Sequence, residues 1–281
     1  DPFDGLMLAV PGASLFLRSR VARLGVIQAV KRSPVNLRPV LGVPKLVNAK
    51  ALALGLEASA TLAGDRARVP DTGGDIEELT RKLLDVAQPS GKGSGWGYPF
   101  DWQSRSFWCP RGTPTAVCTG FVVRALDAAL PQLEPELRER AARAMRAAAD
   151  MVRFDLNRTS DGAGFCFSYS PLDRSQIVNA TLLAAETLAR VARLDGRPDL
   201  LEEARPTVAW ALSRQAENGG WPYGTAGHHT WEDGFHTGFN LLSLDAIADA
   251  SRAVGGAGAT IVPAEAVDRG YAHYKATFFE A

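Results

Sequence analysis

The chain has 281 residues, a length that accommodates one large domain or two small ones, and 46% of them are hydrophobic, enough for a sizeable core. Lysine plus arginine equals aspartate plus glutamate, 31 each, so no global field favours nucleic acid or an anionic membrane, and neither is expected as a partner. No apolar run reaches the ~18 residues of a membrane span.

The opening stretch, DPFDGLMLAVPG, has no basic region ahead of its short apolar run and is not a signal peptide. It also lacks an initiator methionine, so the chain is expected to begin inside a longer product. Alanine and leucine dominate and strand-like alternation is scarce, so the periodicity predicts helices in succession at 14–31, 44–62, 75–87, 114–130, 135–154, 175–194, 199–215, 233–251 and 264–279. Thr113 before Pro114 reads as the start of the fourth helix. Asp173 with Gln176, and Thr230 with Asp233, read as capping boxes. Pro206 is expected to kink its helix or mark its start. Residues 1–70 are expected as an N-terminal helical segment packed on a repeat region, 71–281, within one continuous domain.

The repeat is the more informative feature. Three times a charged amphipathic helix leads to a glycine-aromatic loop and then to a more apolar helix. The loops contain SGWGYPF, GAGFCFSY and NGGWPYG, with Gly95, Gly164 and Gly220 in register at intervals of roughly 55–70 residues. In that register Thr119, Asn179 and Thr237 align, as do Gly120, Ala180 and Gly238. Charged faces need water and apolar helices need cover. The expected fold is therefore all-α, an α/α toroid of helical hairpins with aromatic loops at one rim. An open α-solenoid is the plainer alternative.

Gln215, Gly219 and Trp221 in QAENGGW have the Q-x-x-x-G-x-W spacing of squalene cyclases and related α/α toroids, a loop type also found in uronic-acid lyases and glucuronyl epimerases. The chain more specifically resembles a group of bacterial toroid proteins often labelled δ-aminolevulinic acid dehydratase. The matching segments are DPFDGL, the NLRP and NAKALAL region, GWGYPFDWQSR, FSYSPLD with VNAT, and WEDGFHTGFNL. The resemblance implies an α/α toroid encoded with polysaccharide-biosynthesis genes, continuing past this chain's last residue. The dehydratase label fails on chemistry. It implies a β/α barrel with two Schiff-base lysines, whereas here strands and helices do not alternate and Lys92 is the only lysine expected near the aromatic loops.

Candidate chemistry gathers in two stretches. In the first, Trp96, Tyr98, Trp102 and Trp108 offer aromatic faces for sugar rings, cations or prenyl chains. The plainer reading is that such rings plug hairpin ends, most readily at Trp96 and Trp221. Asp101 and Arg105, with Gln103 between them, read either as a surface ion pair or as an acid–base carboxylate beside a guanidinium that holds an anionic sugar. The second stretch, HHTWEDGFHTGFN, holds three of the four histidines. His236 and Asn240 share a helix face, and Glu232, Asp233 and Trp231 precede them. His236 is the leading candidate for a proton shuttle, and Asp233 reads equally as a helix cap. Tyr169, with Asn179 and Tyr223, is expected at the same cavity, as a second proton carrier or as a plug.

Metal and cofactor sites are not expected. HxxxH spacing is missing, as are a G-x-S-x-G elbow, a phosphate-binding loop and the acidic motifs of terpenoid cyclases. Cys109, Cys118 and Cys166, an odd set without CxxC spacing, read as buried free thiols of a cytoplasmic protein. The leading function is a carbohydrate-active enzyme of bacterial polysaccharide metabolism, with lyase, uronosyl epimerase and glycoside hydrolase open and a saccharide as substrate. A non-catalytic glycan-binding protein and a terpenoid cyclase or prenyltransferase-like enzyme are the alternatives. The oligomeric state is not legible.

Overall fold

A computed structural model describes residues 19–63, 73–104, 107–256 and 260–280. They form the helices α1 (Arg20–Lys31), α2 (Ala49–Ala63), α3 (Gly73–Asp85), α4 (Ala116–Ala129), α5 (Pro135–Phe154), α6 (Val178–Asp195), α7 (Pro198–Leu212), α8 (Gly234–Gly255) and α9 (Ala264–Phe278). The strands are short antiparallel pairs in the loops: Gln88–Pro89 with Ser94–Gly95, Trp102–Gln103 with Trp108–Cys109, and Arg158–Ser160 with Phe165–Phe167. The predicted helices recur with ends shifted by a few residues; the first is described only from Arg20.

The architecture is an α/α toroid arrangement of hairpins, four among the described residues: α2/α3, α4/α5, α6/α7 and α8/α9. The inner helices pack in succession, α2 on α4, α4 on α6 and α6 on α8. Nearly every residue of α4 and α6 is buried, whereas the partner helices show charged faces such as Arg81 with Glu77 and Arg205 with Glu202. α2 belongs to the inner layer, packed on α4. Leu54 on α2 and Phe235 and Leu242 on α8 are exposed, and the succession is open on that side. No helix among the described residues is long and apolar enough to cross a membrane.

Each inner helix starts at one rim. Asn48 Oδ1 accepts the Lys50 amide, Thr115 accepts that of Cys118 and Asp233 that of His236. Side-chain caps of this kind satisfy otherwise orphaned helix amides. Thr115 is the cap expected two residues earlier at Thr113, and Asp233 takes the role read into Thr230. Asp173 caps no helix; it binds the amides of Ser170 and Ser175 within its own loop. Pro206 lies inside α7.

Counting from these caps corrects the repeat register. Thr119, Thr181 and Thr237 are the equivalent residues, not Asn179, which lies two positions earlier on α6. Thr119 Oγ1 accepts the Trp96 amide at 3.0 Å, and Thr181 donates to the Phe167 carbonyl at 3.2 Å. Thr237 Oγ1 is buried without a partner. Thr119→Val, which strands a buried N–H, is expected to cost about 1–3 kcal/mol. Thr237→Val should be neutral or mildly stabilising, and urea denaturation midpoints of the two variants check the contrast.

The loops are stitched to their neighbours. The Tyr169 carbonyl accepts the Ala116 amide at 2.9 Å, and the Tyr223 carbonyl accepts that of Val178 at 3.0 Å. Each hairpin's loop thus completes the start of the preceding inner helix. Glycine lets the loops come this close. Gly164 has φ +157°, and a Cβ there would stand 1.9 Å from the Pro206 carbonyl oxygen.

The inner layer also holds charge that its apolar helices hide. Arg124 on α4 reaches Glu186 on α6 with Nε at 2.9 Å, and Ser243 Oγ on α8 donates to the same carboxylate at 2.8 Å. Arg190 Nε binds Glu186 at 2.7 Å and continues to Asp127. Burial alone would raise the Glu186 carboxyl, but Arg190 and Arg124 hold it below the usual carboxylate value.

Candidate functional site

The three glycine-aromatic loops share a plan: a buried plug, then a tyrosine two residues on. Trp96, Phe167 and Trp221 are the plugs, at most 2% exposed. The Trp96 indole donates to the Leu83 carbonyl at 2.7 Å and the Trp221 indole to that of Ala211 at 3.1 Å. Both carbonyls lie in the last turn of the preceding outer helix, where acceptors lack the full set of intrahelical partners; that of Ala211 also takes the Arg214 amide at 3.2 Å. The Phe167 side chain has no N–H, and there the Asp155 and Leu156 amides take the Met151 carbonyl instead.

Tyr98, Tyr169 and Tyr223 follow the plugs and cluster at the rim where the inner helices start. The Tyr98 ring stacks on Phe100 at 5.3 Å and meets Trp102 at 5.5 Å. Trp102 and Phe107 in turn flank Tyr169 at 5.2 and 5.1 Å. Burial pushes the Tyr98 and Tyr169 phenols well above their ordinary value, and that of Tyr223 up to about 12. All three stay protonated near neutral pH.

His236 stands beside them in the first turn of α8. Its Nδ1 lies 3.0 and 2.9 Å from the two Asp233 oxygens, which fixes the ring with Nδ1–H toward the carboxylate. Nε2 has no protein partner among the described residues, and the side chain is 24% exposed. Burial lowers the His236 value below that of an ordinary histidine, with Asp233 partly offsetting the drop. The imidazole is therefore neutral and basic at Nε2. Its ring centre is 4.8 Å from that of Tyr223, and Tyr223 stacks at 4.5 Å and 10° on Trp231, whose outer face is exposed. That stacked pair is a ready platform for a sugar ring.

Lys50, in the first turn of α2, completes the basin, and the sequence reading passed over it. Two residues beyond each cap lie Lys50, Val117, Asn179 and Phe235, the first inward layer of the four inner helices. The Lys50 ammonium sits 4.4 Å from the Phe121 ring centre and 5.1 Å from that of Phe235. Phe121 and Phe239 meet edge to face at 4.8 Å and floor the basin above Arg124. Lys92, expected as the lysine of the loops, is exposed and uses its backbone amide to bind Asp155.

Several residues expected at the site serve the scaffold instead. Trp96 and Trp221 are plugs without a free face. Gln103 is buried, accepts Arg23 Nε at 2.9 Å and donates to the Ser104 carbonyl, and Trp108 lies under the Arg23 guanidinium at 4.2 Å. Both therefore hold α1. Asp101 accepts the Arg111 amide at 2.8 Å within its own turn. Glu232 turns to the outer layer and meets His273 Nε2 on α9 at 3.0 Å. Asn240 is buried one turn below His236, with Oδ1 unpartnered. Arg105 lies outside the described residues. The three cysteines are free and buried; burial pushes Cys109 up to about 12 and Cys166 to about 11, so both remain thiols. Among the described residues no group of three or more His, Cys, Asp or Glu is placed to hold a metal.

No family model matches the chain, and no curated protein matches it. Among solved structures the chain is similar to the GH76A alpha-1,6-mannanase from Salegentibacter sp. HEL1_6 and to an inactive double Asp-to-Asn variant of that enzyme in complex with alpha-1,6-mannotriose. Each shows 10% identity, covers 96% of this chain and 74% of the other, and has a TM-score of 0.48. A likeness of that strength carries no inference about the site.

Proposed function

We propose that the chain is a carbohydrate-active enzyme that transfers protons in the rim basin, with His236 as base and a rim tyrosine as acid. The carrying observation is the His236–Asp233 pair at 2.9 Å, which leaves a neutral Nε2 beside the protonated Tyr223. In this reading the sugar stacks on Trp231, Nε2 removes a proton from carbon next to a carboxylate, and a phenol returns one to the leaving oxygen or to the opposite face. The first outcome is elimination and the second epimerisation.

The carboxylates favour these two reactions over hydrolysis, which needs an acid and a base flanking one bond. Asp101 is held by the Arg111 amide, Glu232 by His273, and Asp233 by both the α8 amide and His236. The test is incubation of the protein in D2O with a panel of uronate-containing and neutral polysaccharides. Deuterium incorporation next to the uronate carboxylate, the mark of epimerisation, or an unsaturated product, the mark of elimination, is expected from at least one uronate polymer. Hydrolysis alone, or no change in any polymer, overturns the reading.

A further inference from the structure

Lys50 is an anomaly in the basin. It is half-buried in the first turn of α2, yet among the described residues no carboxylate lies within ion-pair reach and no side-chain acceptor binds its ammonium. Its partners among the described residues are the faces of Phe121 and Phe235, at 4.4 and 5.1 Å. A cation against two rings gains less than a desolvated ammonium without an anion costs. Burial accordingly pushes the Lys50 amine below its ordinary value, with the Cys118 thiol slightly opposing. Elsewhere in the inner layer buried charge is neutralised: Arg124, Arg190, Glu186 and Asp127 pair with one another. Lys50 is the one cation among these without a carboxylate partner among the described residues; Glu57, two turns further along α2, also lacks an ion pair there, and burial raises its carboxyl.

The surroundings specify what enters. The inner helices all start at this rim, and their positive ends add to the Lys50 charge. Phe235, against which the ammonium lies, has its ring centre 5.2 Å from that of His236, so the ammonium and the imidazole address one space. Asp233, the carboxylate beside His236, is occupied by that ring and the α8 amide. The rings around the ammonium fit the apolar faces of a sugar and not a strongly hydrated inorganic ion.

We propose that Lys50 binds the carboxylate of the substrate and so restricts the basin to acidic sugars, the uronates, rejecting their neutral counterparts. This rests on the basin being the sugar site proposed above and names its substrate class. Lys50 would hold the carboxylate while Nε2 of His236 acts on the adjacent carbon, and its charge would offset the negative charge that builds on that carboxylate as the proton leaves.

The test uses the full chain and three matched pairs of probes: glucuronate with glucose, galacturonate with galactose, and mannuronate with mannose. Binding is followed by NMR of 15N-labelled lysine side chains and by isothermal titration. At least one uronate is expected to shift the Lys50 signal and to bind at least about tenfold more tightly than its neutral partner, as a charge-assisted contact implies. Lys50→Met should abolish that preference and Lys50→Arg should keep part of it. Lys50→Met removes an unpaired charge and retains the alkyl stem between the rings, so its thermal midpoint should stay level or rise.

Equal binding of acid and neutral sugars, no binding by any uronate, or undiminished uronate preference in Lys50→Met overturns the proposal. Lys50-dependent uronate binding without turnover in the D2O assay keeps the anion site and overturns the catalytic reading. Turnover with no role for Lys50 does the reverse.

Discussion

Replacing His236 by glutamine should lower kcat on the responsive sugar by about 10²–10⁴-fold, the usual share of a general base, and change substrate affinity little. The dissociation would appear as a fall in kcat at nearly constant Kd, measured by single-turnover kinetics and titration. The pH profile is the sharper readout, because burial lowers His236 and Asp233 only partly restores it. The active form is the neutral ring. In wild type, kcat/KM should therefore hold through neutral pH and fall on acidification through a value below that of an ordinary histidine. Asp233→Asn keeps a competent helix cap but removes the restoring carboxylate, so the acid limb should move to still lower pH. Its kcat should drop as well, since an amide no longer selects the tautomer. An acid limb that stays in place in Asp233→Asn, or full turnover in His236→Gln, would remove His236 from the chemistry.

Glu186→Leu should be the most destabilising single change in the inner layer, at about 3–5 kcal/mol, because it leaves the Arg124 guanidinium buried without a carboxylate, with the Ser243 hydroxyl as its remaining hydrogen-bond partner. Arg190 is less exposed to the loss, since it keeps Asp127. The double variant Arg124→Leu/Glu186→Leu should recover much of the deficit, as two apolar side chains replace a pair that had to be stripped of water. Urea denaturation of both variants decides the point; equal losses would mean that packing rather than charge sets the cost. The pH response has a definite sign. The folded Glu186 value is depressed, so its contribution is complete above the unfolded carboxylate value and is lost as pH falls through the lower, folded one. Glu186→Leu should lack that component of acid sensitivity.

The helices and hairpins were legible because each outer helix carries a charged stripe and each inner helix does not; amphipathic period reports burial directly. Position along the axis was less legible. VNATLL offers Asn179 and Thr181 as equals for alignment with Thr119, and only the cap count and the Phe167 bond separate them. The division of the aromatics was hidden for a related reason. Trp96 and Trp231 are both tryptophans next to glycine or charge, yet one points its N–H at a helix end and the other lies on Tyr223. Nothing in a one-dimensional string distinguishes a plug from a platform. Lys50 escaped notice because no motif surrounds it. The available signal was a charge two residues past an asparagine cap, in a helix made mostly of alanine, leucine and glycine. Arg124 in FVVRAL and Glu186 in LLAAETL gave the same signal, isolated charges in apolar runs, and were passed over as ordinary residues of apolar helices.

The carbonyls of Tyr169 and Tyr223 each close the first turn of a helix that belongs to the hairpin before them. Units joined in that manner cannot fray one at a time: loosening a loop uncaps its predecessor, and the disturbance runs backwards along the chain. The same tyrosines line the basin, so a ligand that steadies their rings would tighten two hairpins at once, and occupancy would be felt as rigidity well beyond the atoms it touches.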